Sequence, residues 1–246
     1  MTQILNIITV TKNDLAGVTH TIESTKKIRT HPGVKQIIID SSTDETKTSV
    51  KTLAESNNNV EYFWQDPSGI SAAFNKGLSL AESEWVWFLN GGDEINNKLD
   101  PDIFLYILAK SSANAIIFQI KGVGSDQITR HPPMWAMWPP FFAWIPHPST
   151  ITRKSLYEKY GNFNTSFEIA MDYEFWLRCF AKETVVDTIS IQITDYDNTG
   201  ISSTQTSKVA KEAIRAIKMH VYEIIKIWFK NGLRMLKAYL FYKKRI

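Results

Sequence analysis

A single cysteine, Cys179, stands among 246 residues. One thiol excludes an internal disulfide framework and any cysteine-built metal centre, and it makes a reducing compartment the expectation. No stretch approaches the roughly 20 uninterrupted apolar residues that a membrane-spanning helix needs. The N-terminus also lacks the basic segment and apolar core of a signal peptide, so a cytoplasmic location is expected. Internal repeats and low-complexity tracts are missing, as is a convincing Ser/His or Cys/His pair for covalent catalysis. Proline is sparse except in one place. Five of the nine prolines fall between His131 and His147 (HPPMWAMWPPFFAWIPH), beside Trp135, Trp138 and Trp144. Such a stretch does not form the interior of a regular element.

What is present has an ordinary globular balance, 43% hydrophobic and 22% charged, which excludes a disordered or fibrous chain. The length suits one large α/β domain or two small ones. The net charge of +3 conceals an asymmetry. From Lys208 onward there are 11 Lys/Arg and 2 Asp/Glu, leaving 17 basic and 23 acidic residues before it. An acidic body argues against a nucleic-acid partner, whereas the basic tail suits a membrane surface or an acidic partner.

Short apolar runs alternate with helix-like stretches over the first hundred residues. Strands are expected at Ile4–Val10, Gln36–Asp40, Val60–Trp64 and Trp85–Leu89, with helices near Asp14–Arg29, Thr43–Ser56 and Ile70–Ala81. Continuous apolar strands separated by helices imply βαβ units and a mostly parallel sheet covered on both faces. Further on, the pattern predicts helices at Pro101–Lys110, Arg153–Tyr160 and Met171–Lys182, with strands at Ala115–Ile120 and Ile189–Thr194. In the tail, Ile214, Ile217, Val221, Ile224 and Trp228 form an apolar helical stripe from Lys208 to Lys230, which Asn231-Gly232 is expected to interrupt.

Ligands of such sheets collect beyond the carboxyl ends of the strands, so residues there are the candidates for chemistry. Asp40 closes the second strand, where a carboxylate either accepts from a base or ribose or simply ends a strand before a helix cap. Asn90-Gly91-Gly92-Asp93-Glu94 follows the most apolar strand, and its hard oxygen ligands suit Mg²⁺ or Mn²⁺, or else a solvent-facing turn. Asp172 and Glu174 begin a helix, where they complement its dipole, or Asp172 serves as a general base. His147 reads as a surface hydrogen-bonding group or, with Asp93, as a metal ligand. Cys179 reads as a buried thiol.

The order of these pieces is more specific than any one of them. ILNIITVTKND, IIIDSSTDET, DPSGISAAFNKGLSLAESEWVWFLNGGDEI and HPSTITRKSLYEKYGNFNTSFEIAMDYEFWLR follow one another, and DNTGIS comes last. From about Leu5 to Ser203 the chain resembles a family 2 glycosyltransferase with the A-type nucleotide-sugar fold, an α/β, Rossmann-like, mostly parallel sheet flanked by helices. The resemblance implies a glycosyltransferase domain over 1–207, with a nucleotide-binding half (1–99) and an acceptor half (100–207). Residues 208–246 then form an amphipathic helical tail.

By the same resemblance, Thr9, Thr11 and Asn13 line the nucleotide pocket and Asp40 reads the uracil or other base. Asp66, Gly69, Asn75 and Gly77 border nucleotide and sugar, and Asn90 and Asp93 carry the metal-binding motif. Asp172 matches the base of inverting members. The chain departs from the family pattern at Phe74, where many relatives carry Arg, and at the metal motif, which keeps one acid with Asn90 and Gly92 at the others. The implied partners are a nucleotide-sugar donor, with UDP favoured, a divalent cation, and a glycan or lipid-linked acceptor of surface polysaccharide synthesis. The Trp/Pro loop would face the acceptor or pack on the core as a lid, and the tail would touch the membrane or dock on protein. At its unperturbed pKa of about 3.9, Asp172 would be ionised without tuning. A non-catalytic nucleotide-sugar-binding protein is the alternative. A sugar nucleotidyltransferase ranks below it, because Thr9–Gly17 (TVTKNDLAG) lacks a glycine-rich phosphate loop.

Overall fold

The computed structural model describes residues 3–122, 128–129, 145–180, 184–197, 200 and 204–243. Trp135, Trp138 and Trp144 lie outside the described residues, as do most of the residues of the DNTGIS segment. Seven α-helices and nine strands follow in the order β1 (Leu5–Thr11), α1 (Leu15–Thr25), β2 (Val34–Asp40), α2 (Thr46–Glu55), β3 (Val60–Trp64), α3 (Ile70–Leu80), β4 (Trp85–Asn90) and β5 (Glu94–Ile95) among the described residues. The order continues with α4 (Pro101–Lys110), β6 (Ala115–Gly122), β7 (Ile128–Thr129), β8 (Thr150–Arg153), α5 (Lys154–Tyr160), α6 (Met171–Phe180), β9 (Val186–Tyr196) and α7 (Thr206–Lys243).

The strands form one sheet in the order β3-β2-β1-β4-β8-β6-β9-β5, with β7 paired to β6. Pairing is parallel throughout β3-β2-β1-β4, as the helix crossovers require. The antiparallel β8 links this part to β6, which runs parallel to β9. This is the expected α/β architecture, a largely parallel sheet flanked by helices. β1 along its whole length and β4 as far as Leu89 are buried without alternation because both faces are covered. Ile8, Val86 and Phe88 pack under α3, α5 and α6, while Ile7, Trp85 and Trp87 pack under α4 on the other face.

The sequence pattern does not announce β8. Thr150-Ile-Thr-Arg is too short to declare itself a strand, and it exists because β4 and β6 hydrogen-bond it on both sides. Nor does Asn231-Gly232 interrupt the tail, since α7 runs continuously to Lys243. Glycine in a helix interior costs only about 1 kcal/mol relative to alanine, which a long helix absorbs. The face of α7 that meets the body also differs from the expected stripe. Glu212, Ala216 and Ile224 are buried at four- and eight-residue spacing, whereas Ile214 and Val221 point outward. Among the described residues no helix is long and apolar enough to cross a membrane.

Candidate functional site

At the carboxyl ends of β1, β2, β3 and β4 the backbone pairing continues into the loops. Ser41 N donates to Thr11 O, Gln65 N to Asp40 O and Gly91 N to Val10 O, at 2.9, 3.0 and 3.0 Å. These loops therefore form one rim. Asn13 takes a left-handed conformation there, with φ 53°. Its N–H donates to Ser42 Oγ (2.8 Å), and its Oδ1 accepts from Thr43 N (2.9 Å), tying the first loop to the second. Thr11 lies against Gly91, where a Cβ would sit 3.3 Å from Thr11 Oγ1. Thr11, Asn13, Asp40 and the Asn90–Asp93 turn are thus neighbours on the rim.

Asp40 is fully buried, accepting from Ser42 N at 2.8 Å and from the Tyr62 hydroxyl at 2.9 Å. Burial, followed by the bond to Asp40, pushes the Tyr62 phenol far above its ordinary range. Beside Asp40, Trp64 is partly exposed, with Lys47 Nζ 3.5 Å from its ring centroid. Asp66 and Gly69 are exposed just beyond, and Gly69 opens α3 at φ 94°, with nothing within 4 Å of the place a Cβ would take.

Two expected nucleotide contacts are turned to other work. Thr9 is buried, and its hydroxyl accepts from Gln36 Nε2 (3.0 Å) in a network that continues through Thr25 to Arg29. Strand alternation aims it beneath α1 instead of at the rim. Asn75 spends both ends of its amide on one backbone residue, donating to Phe163 O (2.8 Å) and accepting from Phe163 N (2.9 Å). It bolts α3 to the segment leading into α6.

Asp93 is 3% exposed. Its Oδ2 accepts from Asn90 N and Nδ2 at 2.8 and 3.2 Å, and its Oδ1 from Asp197 N at 3.1 Å. Burial above all, with Asp197 adding repulsion, pushes the Asp93 carboxyl up to about 7 against its hydrogen bonds. Gly92, at φ 101°, lets Asp197 close over the turn, for a Cβ there would lie 3.0 Å from Asp197 Oδ2. Asp197 is the residue that sequence reasoning missed, although it opens the DNTGIS segment. The motif with one acid thus gains a second in space.

A small divalent ion of this type is held by one or two carboxylates plus substrate phosphates, and Asp93 and Asp197 fit that donor set. His147 does not join them, a correction to its reading as a ligand. Its ring lies against those of Phe74, Phe88 and Phe163, at centroid distances of 5.3, 5.1 and 5.7 Å, and its buried Nε2 has no hydrogen-bond partner among the described residues. Desolvation lowers its pKa to about 4. Among the described residues no group of three or more His, Cys, Asp or Glu side chains is gathered for a metal.

Asp172 reaches the same edge of the sheet by a different route. α3 starts at the carboxyl edge and runs back across the sheet, so its early residues mark that edge. Ser71 Oγ donates to Phe167 O at 2.5 Å, and Asn75 holds Phe163 one turn deeper. The chain therefore climbs towards the rim from Phe163 to Phe167 and enters α6 there. Asp172 occupies the first turn of α6, its Oδ1 accepting from Tyr173 N at 2.7 Å. Burial raises its pKa to about 6, more than its backbone hydrogen bonds lower it. The expectation of an untuned carboxylate is corrected accordingly.

Comparison with known proteins agrees with this fold. The family model described as "Glycosyl transferase family 2" matches residues 6–176. An uncharacterised glycosyltransferase of Mycobacterium tuberculosis is 27% identical over 208 residues, covering 81% of this chain and 77% of the relative. Among solved structures, S. aureus TarS 1-349 in complex with UDP-GlcNAc superposes with a TM-score of 0.72 at 17% identity, over 89% of this chain and 66% of that one. The mannosyltransferase PcManGT from Pyrobaculum calidifontis, in complex with GDP-Man and Mn²⁺, gives 0.62 at 15% identity, over 91% and 69%. At these identities the two structures establish a shared fold. With its family model spanning most of the chain, the protein belongs to glycosyl transferase family 2 and is a glycosyltransferase.

Proposed function

We propose that this enzyme transfers a sugar from a nucleoside diphosphate donor, UDP-linked by preference, to a hydroxyl of a glycan or lipid-linked acceptor, with inversion at the anomeric carbon. The observation that carries the reading is Asp172. It is a carboxylate at the start of α6, near the carboxyl edge of the sheet, with its pKa raised to about 6. A base so tuned is ionised at neutral pH and takes a proton more readily than a free aspartate. As the acceptor oxygen bonds to the anomeric carbon, the bond from that carbon to the diphosphate oxygen breaks. The hydroxyl proton passes to Asp172, and the nucleoside diphosphate leaves. One displacement inverts the centre without a covalent enzyme intermediate.

The rim of Thr11, Asn13 and Asn90, braced from beneath by the buried Asp40, is the proposed nucleotide platform, bordered by Asp66 and Gly69. The complexes of TarS with UDP-GlcNAc and of PcManGT with GDP-Man support a donor of this class. Asp93 and Asp197 would hold a divalent cation, which when bound offsets negative charge on the leaving diphosphate. The Mn²⁺ in PcManGT supports that assignment. The basic α7 supports a place at the cytoplasmic face of a membrane, where a lipid-linked acceptor of surface polysaccharide synthesis would be met.

The test is Asp172→Asn, read by UDP release from UDP-sugars with water as acceptor and by the melting shift that UDP induces. General-base loss predicts turnover reduced about 10²–10⁴-fold with the melting shift retained. Normal turnover would remove Asp172 from the mechanism.

A further inference from the structure

A buried backbone N–H needs an acceptor, and in a turn a nearby Ser, Thr, Asp or Asn side chain usually supplies it. The turn that leads into α6, Glu168-Ile169-Ala170, carries no such side chain, and Asp172 in the first turn of the helix accepts from Tyr173 N. The acceptor comes instead from the C-terminal helix. Glu212 Oε1 accepts from Glu168 N at 2.9 Å, and Oε2 accepts from Ile169 N at 3.0 Å and Ala170 N at 2.8 Å. Glu212 is 8% exposed. Burial pushes its carboxyl up, but the three N–H groups, aided by Arg215, outweigh that and hold it below its ordinary value.

Other contacts from α7 reinforce the grip on this segment. Arg215 donates to Ser166 O at 2.6 Å, and its guanidinium lies 3.9 Å from the Phe167 ring centroid. Lys208 pairs with Glu168. Further along, His220 Nε2 meets Glu174 Oε1 at 2.8 Å, and Glu174 also pairs with Arg178, which holds the carbonyls of Tyr160 and Asn162. On its opposite side the segment is held by Ser71 and Asn75 of α3. Asp172 is the second residue after this clamped turn.

We propose that Glu212 is a positioning residue for sugar transfer: by seating the backbone at 168–170 it fixes where the first turn of α6, and so the Asp172 carboxylate, meets the acceptor hydroxyl. The proposal rests on Asp172 being the base. It places part of the catalytic architecture beyond residue 176, where the family match ends. Proton abstraction requires heavy atoms about 2.6–3.2 Å apart, and a misplacement of about 1 Å can cost about 10²-fold in rate. Without the Glu212 carboxylate, three N–H groups lose their acceptor and the turn must shift to find others.

Glu212→Gln keeps the side-chain length but removes the charge and one of the two acceptor oxygens. Its kcat for UDP release is expected to fall at least tenfold, with donor KM and the UDP-induced melting shift unchanged. Amide hydrogen exchange is expected to quicken at residues 168–174 and not elsewhere in the sheet. Glu212→Asp, which restores the charge, is expected to recover part of kcat, and it carries the measurement should Glu212→Gln not fold. In an Asp172→Asn background, Glu212→Gln is expected to cost nothing further, because the two act through one group. A kcat for Glu212→Gln within twofold of wild type overturns the proposal. So does a loss of kcat matched by loss of UDP binding, which would mark Glu212 as a general structural tie. Normal turnover by Asp172→Asn would instead defeat the assignment of the base, so the two failures are distinct.

Discussion

A carboxylate that must take a proton works only when ionised, and the burial that lifts Asp172 to about 6 brings that requirement into a measurable range. On the proposed mechanism, kcat stays level above about pH 7 and falls about tenfold per unit below pH 6. With an untuned aspartate it would fall only below pH 4. A pH–rate profile under saturating donor and divalent cation, where the cation keeps Asp93 ionised, distinguishes the two. The stability consequence has the opposite sense. The folded-state pKa lies above the ordinary 3.8, so ionising Asp172 costs stability as pH rises from about 4 to 6. Asp172→Asn should therefore show no melting-temperature penalty at pH 8, even as turnover is lost. Asp40, Asp93 and Asp172 are legible as candidates from their place after strands or at a helix start. Their hydrogen-bond partners are not. Tyr62 lies 22 residues from Asp40, and Asp197 lies 104 from Asp93.

α3 illustrates how an element can be predicted correctly while the contacts of its residues stay hidden. Its bounds are legible in the apolar spacing of Ile70–Leu80. The family resemblance makes Asn75 and Gly77 borders of the donor, and the structure adds a packing role for each. Asn75 ties α3 to Phe163, and Gly77 lets the helix lie against β1, where a Cβ would sit 2.3 Å from Ile8 Cγ2. Gly77→Ala should consequently destabilise the protein, since overpacking costs typically about 1–3 kcal/mol and the helix-propensity gain from alanine returns about 0.5–1 kcal/mol. A urea midpoint lowered at unchanged slope would register it, whereas an unchanged midpoint would mean that β1 and α3 separate freely. β8 shows the converse. Its four residues carry no period of their own, and two neighbouring strands decide its state.

Over the whole molecule, the charge asymmetry acquires a shape once α7 is docked. Its inner face, including Glu212, Ala216 and Ile224, is committed to the body. Its outer face exposes Ile214, Val221, Tyr222, Ile225 and Phe229, with Ile214 54% and Phe229 62% accessible. Lysines 211, 218 and 226 stand among them. An amphipathic basic helix of this kind suits the headgroup region of an anionic bilayer. Vesicles containing phosphatidylglycerol should sediment the protein, less so as salt rises, and neutral vesicles should not. Val221→Asp with Ile225→Asp should abolish sedimentation while leaving UDP release in solution intact. Sedimentation unaffected by these changes would send the outer face to a protein partner instead. In the sequence, docking on the body and contact with a bilayer are competing fates for the tail, but two faces of one helix accommodate both.

The order of apolar runs, the helix periods and the carboxylates placed after strands are decided locally, within spans of a few to a dozen residues. The sequence alone therefore determined the α/β class, the parallel core and the family. Which carboxylates are buried, which face one another across the turn, and which helix braces the entrance to α6 depend on residues tens to a hundred positions apart. Only their convergence in space sets desolvation and hydrogen bonding, and these decide the chemistry of each group. The tertiary structure alone therefore moved Thr9, Asn75 and His147 away from the rim, set Asp197 beside Asp93, and put Glu212 behind Asp172.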